Sequence, residues 1–350
     1  MAPELKFSSG HLLLTGNKQP GFHDKLEMTS NSHREEPSLD SDDRKVTGRP
    51  DYVLITAAHN EEDFIEKTIQ SVISQTHAPL QWIIVNDGSS DKTRVLAEAK
   101  IQGFDFIKLV NLERAGGRDF GRKILAFNRG LEEVQNLDYG FVGNLDADIT
   151  VAPDYFGNIL DEFAADRRLG LAGGIVYTKA GTNFVTYDQT LDSIGGAVQM
   201  FRRRCMEDVG GYPVFAQGGE DAAVEITARM KGWKVRKFPE NRAYEQRRTG
   251  TANTGILRSK VREGSRFYSL GYGLLFYTLR CLYRLPERPV LLGSTAALFG
   301  YLKSMFQGLP VNLPGEVVSY LRAEQRQKLK QMAAALLSLV LRRPMQPVSS

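Results

Sequence analysis

The chain has 350 residues, 42% apolar and 25% charged, the proportions of a globular protein with a sizeable core and a length typical of about two domains. Its two cysteines, Cys205 and Cys281, exclude a disulfide scaffold and a cysteine zinc cluster and fit a reducing compartment, and its five histidines follow no metal-ligand spacing. The net charge of +4 is unevenly placed: residues 258–350 hold 14 Lys and Arg against 4 Asp and Glu, a balance of +10, and residues 1–257 hold 31 against 37, a balance of −6. A basic end on an acidic body points to an anionic surface as partner.

Residues 1–50 are polar, lack periodicity and read as a disordered tail. Leu12 to Leu14 form too short an apolar run for a signal core. Order is expected from Tyr52. Tyr52 to Ala58 reads as a buried strand. A helix follows, with Asn60 as its cap and Ile65, Ile69, Val72 and Ile73 at helical spacing. Gln81 to Asn86 reads as a second strand, with a helix from about Asp91. Phe104 to Val110 reads as a third strand, Lys123 to Val134 as a helix, and Tyr139 to Leu145 as a fourth strand. Pro153 marks the first turn of a helix carrying Phe156, Ile159, Leu160 and Phe163 on one face. Further on, Glu220 to Lys231 reads as a helix ending at Gly232. Strands alternating with helices predict an α/β fold, with a mostly parallel sheet flanked by helices. Ligands in such sheets bind beyond the C-terminal strand ends. The acidic residues Glu61, Asp87, Asp146 and Asp148 all fall at such ends.

Each cluster has a plain structural use and a chemical one. Asp146-Ala-Asp148 follows an apolar strand; it serves either a solvated turn or a Mg²⁺ or Mn²⁺ bridging a diphosphate, since hard cations take oxygen ligands. In Asp87-Gly-Ser-Ser-Asp91, the turn explains Gly88 and Ser90 and leaves Asp87 able to accept from a base or a ribose hydroxyl. Glu220-Asp221 suits a helix N-terminus, and equally a general base over a cleft. Arg202-Arg-Arg204 and Arg247-Arg248 are either solvated faces or phosphate ligands, and one cluster is expected to be functional. No G-x-G-x-x-G follows a strand, and neither a P-loop nor a G-x-S-x-G elbow occurs. NAD enzymes, P-loop NTPases and serine hydrolases are therefore excluded.

Taken together, Tyr52 to Gly250 resembles the family 2 glycosyltransferases of the GT-A fold. Ile55-Thr-Ala-Ala-His-Asn-Glu61 looks like the family's opening P-x-Y-N-E strand and loop. Val85-Asn-Asp-Gly-Ser-Ser-Asp-Lys-Thr93 looks like its D-D-G-S-x-D-x-T motif, Asn144-Leu-Asp-Ala-Asp148 its D-x-D element, and Gly219-Glu-Asp221 its E-D element. The resemblance implies that Glu61 and Asp87 hold the base and ribose of a nucleotide-sugar donor, with Lys123 near the nucleotide. It implies that Asp146 lies beside the ribose and metal, that Asp148 binds the metal, that Asp221 deprotonates the acceptor hydroxyl, and that Arg247 or Arg248 contacts the diphosphate. It also implies an inverting, Mg²⁺- or Mn²⁺-dependent transfer.

Departures from the pattern are the alanines 57 and 58 with His59 in the first motif, and Asn86 in place of the first aspartate of the second. Tyr244, Glu245 and Gln246 stand where many members place a histidine ligand. The Q-x-x-R-W signature of processive synthases is absent, which favours a single-addition transferase. A sugar nucleotidyltransferase would need a Gly-rich loop where Ala57-Ala-His-Asn60 stands. A catalytically silent sugar-nucleotide scaffold is the alternative outside enzymes, and the acidic cleft argues against nucleic acid as a partner.

The domain division is thus a tail over 1–50, a catalytic domain over 51–257 and a basic amphipathic helical region over 258–350. That last region interleaves Tyr268, Tyr272, Phe276, Tyr277 and Tyr283 with Arg266, Arg280 and Arg284, and Met332 to Leu341 reads as a short apolar helix. The longest apolar candidate for a span, Pro289 to Leu302, has 14 residues, short of the roughly 20 that a bilayer needs. The region is therefore expected either to lie in a membrane surface or to pack on the catalytic domain. The resemblance implies a lipid-linked saccharide acceptor, with the protein cytoplasmic and peripheral on the inner face of the cell membrane.

Overall fold

The computed structural model describes residues 49–113, 121–186, 191, 193–215, 218–248, 255–286 and 290–341. The expected tail over 1–50 lies outside them apart from Arg49 and Pro50.

The chain opens with β1 (Tyr52–Ala58), α1 (Ile65–Ile73), β2 (Gln81–Asp87), α2 (Thr93–Lys100), β3 (Ile107–Leu112), α3 (Gly121–Val134) and β4 (Phe141–Leu145). β1 to β4 pair in parallel, in the order β3-β2-β1-β4. Parallel strands covered on both faces read as continuous apolar runs, and β1 is buried along nearly its whole length. Side chains alternate between the faces. Tyr52, Leu54, Trp82 and Ile84 pack with Ile65, Ile69 and Phe156 on one side. Val53, Ile55, Ile83 and Val85 pack with Ile124 and Phe127 of α3 on the other. Gly130 lets α3 come this close, since a Cβ there would stand 2.6 Å from Ile55 Cγ2.

The continuation departs from the expected mostly parallel sheet. β5 (Ile149–Val151), α4 (Tyr155–Ala165), β6 (Leu169–Ala180), β7 (Asn183–Val185), β8 (Val198–Arg202), α5 (Arg203–Val209), α6 (Glu220–Met230) and β9 (Lys234–Arg248) follow. The sheet runs on as β4-β8-β6-β9-β5, with β7 on β6. β8 is antiparallel to β4 and β6, and β5 is antiparallel to β9. The sheet is therefore mixed, in an α/β arrangement flanked by helices. The reversal places Arg202 opposite Phe141, at the start of β4 and away from its acidic end.

Boundaries shift for local reasons. Asn60 does not cap α1, which begins five residues later; its φ of 56° turns the chain, and its Oδ1 accepts from the Ser90 N–H at 2.9 Å. α2 begins at Thr93 because Asp91 Oδ1 accepts from the Thr93 N–H at 2.9 Å. β3 starts at Ile107, later than expected. Pro153 precedes α4 by two residues and is not in its first turn.

The basic region forms α7 (Ile256–Ser269), α8 (Leu274–Tyr283), α9 (Leu292–Phe306) and α10 (Gly315–Leu341). The short helix expected over 332–341 is the end of the 27-residue α10. α7 and α9 touch through glycines: a Cβ on Gly264 would stand 1.8 Å from the Ala297 carbonyl, and one on Gly300 2.0 Å from that of Val261. α10 docks on α6, where Val317 and Leu321 bury against Ala223, Ile226 and Leu270 and Arg229 Nε meets Glu324 Oε1 at 3.1 Å. This part of the basic region packs on α6. No helix among the described residues is long and apolar enough to cross a membrane.

Candidate active site

The loops after β1 and β2 hold each other. The Asn60 N–H donates to Ser89 Oγ at 3.0 Å, and the Glu61 N–H to Thr93 Oγ1 at 2.7 Å. The Asp87 carbonyl accepts from His59 Nδ1 at 2.8 Å. Asn86, the departure from the expected aspartate, bridges the turn: its Nδ2 donates to Asn111 Oδ1 at 2.9 Å, and its Oδ1 accepts from the Ser89 N–H at 3.2 Å. The Asp87 carboxylate is gripped by the fork of Arg122, with Nε at 3.0 Å and Nη2 at 2.5 Å. A bidentate guanidinium of this kind fixes a carboxylate in both position and charge.

At the end of β4, Asp146 Oδ1 meets Lys123 Nζ at 2.5 Å. Burial pushes the Asp146 carboxyl up to about 6, with the neighbouring Asp148 adding to the rise and Lys123 opposing it. Glu61 is pushed up to about 8 by burial and then by Asp148, against the pull of Arg247. Arg247 comes from the end of β9, 99 residues beyond Asp148. The β5–β9 pairing, with Ile149 opposite Glu245, brings it there. Its Nε donates to Asp148 Oδ2 at 3.0 Å, and its Nη2 pairs with Glu61. Glu245, also raised by burial, accepts from Thr178 Oγ1 at 2.7 Å. Glu61, Asp146, Asp148 and Glu245 thus crowd around Lys123 and Arg247. Such a carboxylate excess in a low-dielectric cleft favours a further cation.

Asp221 stands in the first turn of α6, after Gly218 and Gly219 at φ 78° and 104°. Its Oδ2 accepts from the Gly196 N–H at 3.2 Å. On the other side of that glycine, the Gly196 carbonyl accepts from Lys123 Nζ at 3.2 Å and from Asn144 Nδ2 at 2.8 Å. Ala197 O takes the Asp146 N–H at 2.9 Å. One short segment therefore links the acid of α6 to the acid at the end of β4.

Glu225, one helical turn after Asp221 and 3% exposed, holds that segment through the Ile194 N–H, which donates to its Oε1 at 2.6 Å. Burial pushes Glu225 up to about 8, with Arg229 opposing. Glu220 is likewise raised by burial, and its buried Oε2 has no hydrogen-bond partner among the described residues.

The structure thus brings Glu61, Asp146, Asp148, Lys123 and Arg247 into one cluster, with Asp221 tied to it through Gly196 and Asp87 held separately by Arg122 and His59. Arg248 ends β9, and its side chain lies outside the described residues. Of the Arg202 to Arg204 run, Arg202 donates to the carbonyls of Leu169 and Phe163 and lies over the rings of Phe141 and Phe163. Arg203 and Arg204 pair with Glu207 and Asp208 along α5. That run is structural. Sequence reasoning missed Arg122, Asn144 and Glu225, and it named Glu245 without giving it a role. Arg122 adjoins Lys123 and could have been weighed with it. Glu225 carries a signal only in being a carboxylate at i+4 from Asp221, on a helix with an apolar face.

Residues 53–218 match the family model for Glycosyl transferase family 2; Asp221 and Arg247 lie beyond that range. The chain is 27% identical over 205 residues to the poly-beta-1,6-N-acetyl-D-glucosamine synthase of Staphylococcus aureus strain MSSA476, a match covering 53% of this chain and 47% of that protein. The corresponding Staphylococcus epidermidis synthase is 26% identical over 213 residues, covering 55% and 48%. The chain thus spans about half the length of the curated relatives it matches. Among solved structures, the mannosyltransferase PcManGT from Pyrobaculum calidifontis, in complex with GDP-Man and Mn²⁺, aligns at a TM-score of 0.48 with 16% identity, covering 85% and 82% of the two chains. S. aureus TarS 1-349 in complex with UDP-GlcNAc aligns at 0.48 with 14% identity, covering 73% of each.

Proposed function

We propose, for a chain that belongs to the family 2 glycosyltransferases through residues 53–218, that the cleft at the C-terminal ends of β1, β2 and β4 transfers a sugar from a nucleotide-sugar to an acceptor hydroxyl, in a single addition with inversion. The observation that carries this reading is the run of contacts from Asp146 through Lys123 and Gly196 to Asp221, with Asp148 beside it in sequence and paired with Arg247. These residues come from five separate stretches of sequence.

The β1 and β2 loops, with Glu61 and with Asp87 held by Arg122, would line the base and ribose. Lys123 and Arg247 would meet the diphosphate, with Arg248 beside them in sequence. The carboxylates fit a hard divalent cation: Asp148 with Asp146 would hold Mg²⁺ or Mn²⁺. Among the described residues no third protein ligand joins them, which suits ions that complete their shell with water and phosphate oxygens. When bound, such an ion supplies Lewis-acid stabilisation of the leaving nucleoside diphosphate. Asp221 would take the proton of the acceptor hydroxyl. Attack from the face opposite the leaving group breaks the anomeric bond to phosphate as the new glycosidic bond forms, inverting that carbon.

The curated relatives are named as synthases of a poly-N-acetylglucosamine, which makes a cell-surface saccharide, free or lipid-linked, the acceptor class and UDP-GlcNAc the first donor to try. The basic helical region would bring the enzyme to the inner face of the cell membrane as a peripheral protein.

The test is binding and hydrolysis of UDP-, GDP- and dTDP-sugars with Mg²⁺, with Mn²⁺ and with EDTA. One donor should bind only with metal, and Asp148→Ala should abolish that binding. Binding of no donor under any metal would remove the donor-site reading. If metal-dependent binding occurs without turnover and Asp221→Asn leaves the cellular role intact, the silent scaffold takes its place; loss of that role with donor binding retained rules the scaffold out.

A further inference from the structure

α9 is turned inside out for a helix at a protein surface. The residues it buries are Gly293, Ala297, Gly300, Tyr301 and Ser304, all small but the tyrosine. Gly300 meets α7 so closely that a Cβ there would stand 2.0 Å from the Val261 carbonyl. The large apolar residues of α9 are left outside. Leu292, Phe299 and Phe306 recur at intervals of seven, which puts them on one face of a helix, and they are 59%, 59% and 82% exposed. Lys303 is the single charged residue among the fifteen. A helix apolar around its whole girth belongs in an interior or in lipid. The junction leading into it from α8 continues the patch, since Leu282, Tyr283, Val290 and Leu291 are exposed too. An apolar surface of this extent marks an interaction site.

Charge decides what this face meets. Residues 256–306 hold eight Lys and Arg against two Asp and Glu, and one of those two, Glu263, is already held by Lys260 at 2.8 Å and Arg284 at 3.2 Å. A second copy of the chain laid on the face would set two cationic surfaces against each other, whereas an anionic bilayer attracts them. Length decides the depth. The 15 residues of α9 make a rod of about 22 Å, short of the roughly 30 Å of a hydrocarbon core. Such a helix lies along the headgroup boundary with its apolar stripe downward. Lys303, one turn beyond Phe299, has a stem long enough to carry its ammonium back to the headgroups. We propose that the outer face of α9, with its junction to α8, inserts into the boundary of an anionic lipid bilayer. This rests on the peripheral-membrane reading above and names the surface that makes the contact.

The test uses the full chain, with vesicles of phosphatidylglycerol in phosphatidylcholine and vesicles of phosphatidylcholine alone. The chain should co-sediment with the anionic vesicles and much less with the neutral ones. Phe299→Ser combined with Phe306→Ser should weaken that binding by at least about tenfold, the weight of one phenylalanine ring taken out of water. Both side chains are exposed, so melting temperature and donor hydrolysis should match the wild type. Val95→Ser, which removes a comparably exposed apolar side chain from α2, should bind vesicles as the wild type does. Binding unaltered in the double variant would overturn the insertion of α9 and leave a peripheral contact elsewhere in the chain. Equal binding to both vesicles would overturn the anionic preference. Binding to neither would overturn the membrane reading itself, and a dimer in analytical ultracentrifugation that the double variant dissociates would give the face to a second copy.

Discussion

At the scale of single residues, the cleft is set by carboxylates that burial makes reluctant to ionise and by the cations that hold them. Asp221 is placed by backbone N–H groups, that of Gly196 on Oδ2 and that of Ala222 on Oδ1, rather than by a charged partner; in the proposed reaction it would take the proton of the incoming hydroxyl. Asp221→Asn keeps the shape and removes the basicity. Turnover should fall by about 10²- to 10⁴-fold, the usual weight of a general base, while equilibrium binding of the donor stays as in the wild type. A parallel loss of binding would reassign Asp221 to the donor. Glu225 makes a prediction about pH. Its folded value of about 8 lies above the ordinary 4.5, so between those values the native state holds a proton that the unfolded chain has released. The stability it contributes is full below about pH 4.5 and is lost as pH rises through about 8. Urea unfolding across that window should show a slope that flattens in Glu225→Gln.

Contacts between elements decide whether these residues meet. The segment from Ile194 to Ala197 receives Asp146, Lys123, Asn144 and Asp221, and α6 fixes it through Glu225. Glu225→Ala leaves the Ile194 N–H unpaired and should cost about 1–3 kcal/mol of stability, whereas Glu225→Gln, which retains an acceptor oxygen, should cost less; chemical denaturation of the pair measures the difference. Hydrogen exchange at residues 194–197 should quicken in the alanine variant alone. The α7–α9 contact is a second such dependence. Gly264 and Gly300 each face a backbone carbonyl, so Gly264→Ala must push the helices apart. A loss of about 1–3 kcal/mol is expected from overpacking of this kind, read as a lowered melting temperature.

The whole molecule joins an acidic body that carries the sheet to a basic helical region. Arg229 links them, lying 3.9 Å from Glu225 on its own helix and 3.1 Å from Glu324 on α10. The helix α10 is therefore one charge removed from the segment that positions Asp221. The asymmetry of +10 against −6 also predicts how the protein behaves on a surface. Binding to anionic vesicles should weaken steadily as salt is raised, since exposed charges are screened over roughly 8 Å at physiological ionic strength. Binding insensitive to salt would assign the contact to apolar area alone.

The sequence by itself carried the parallel core of the sheet, because buried parallel strands must be apolar along their length and the runs at β1, β2 and β4 are. It also carried the acidic strand ends, since a turn after such a run leaves few residues to choose among, and motif order sufficed to bring out the resemblance that the family model matches over residues 53–218. Tertiary structure alone decided the rest. Nothing local in Arg247 or Glu245 says that β9 pairs with β5 beside Asp148, because strand partners far apart in sequence are chosen by long-range packing and register. Nothing local separates Arg202, folded under the sheet against two rings, from Arg122, clamped on Asp87: a guanidinium takes its role from what the fold sets within reach of its five N–H groups. Glu225 was hidden for the same reason. A carboxylate on a helix reads as surface until another segment presents a backbone N–H to it.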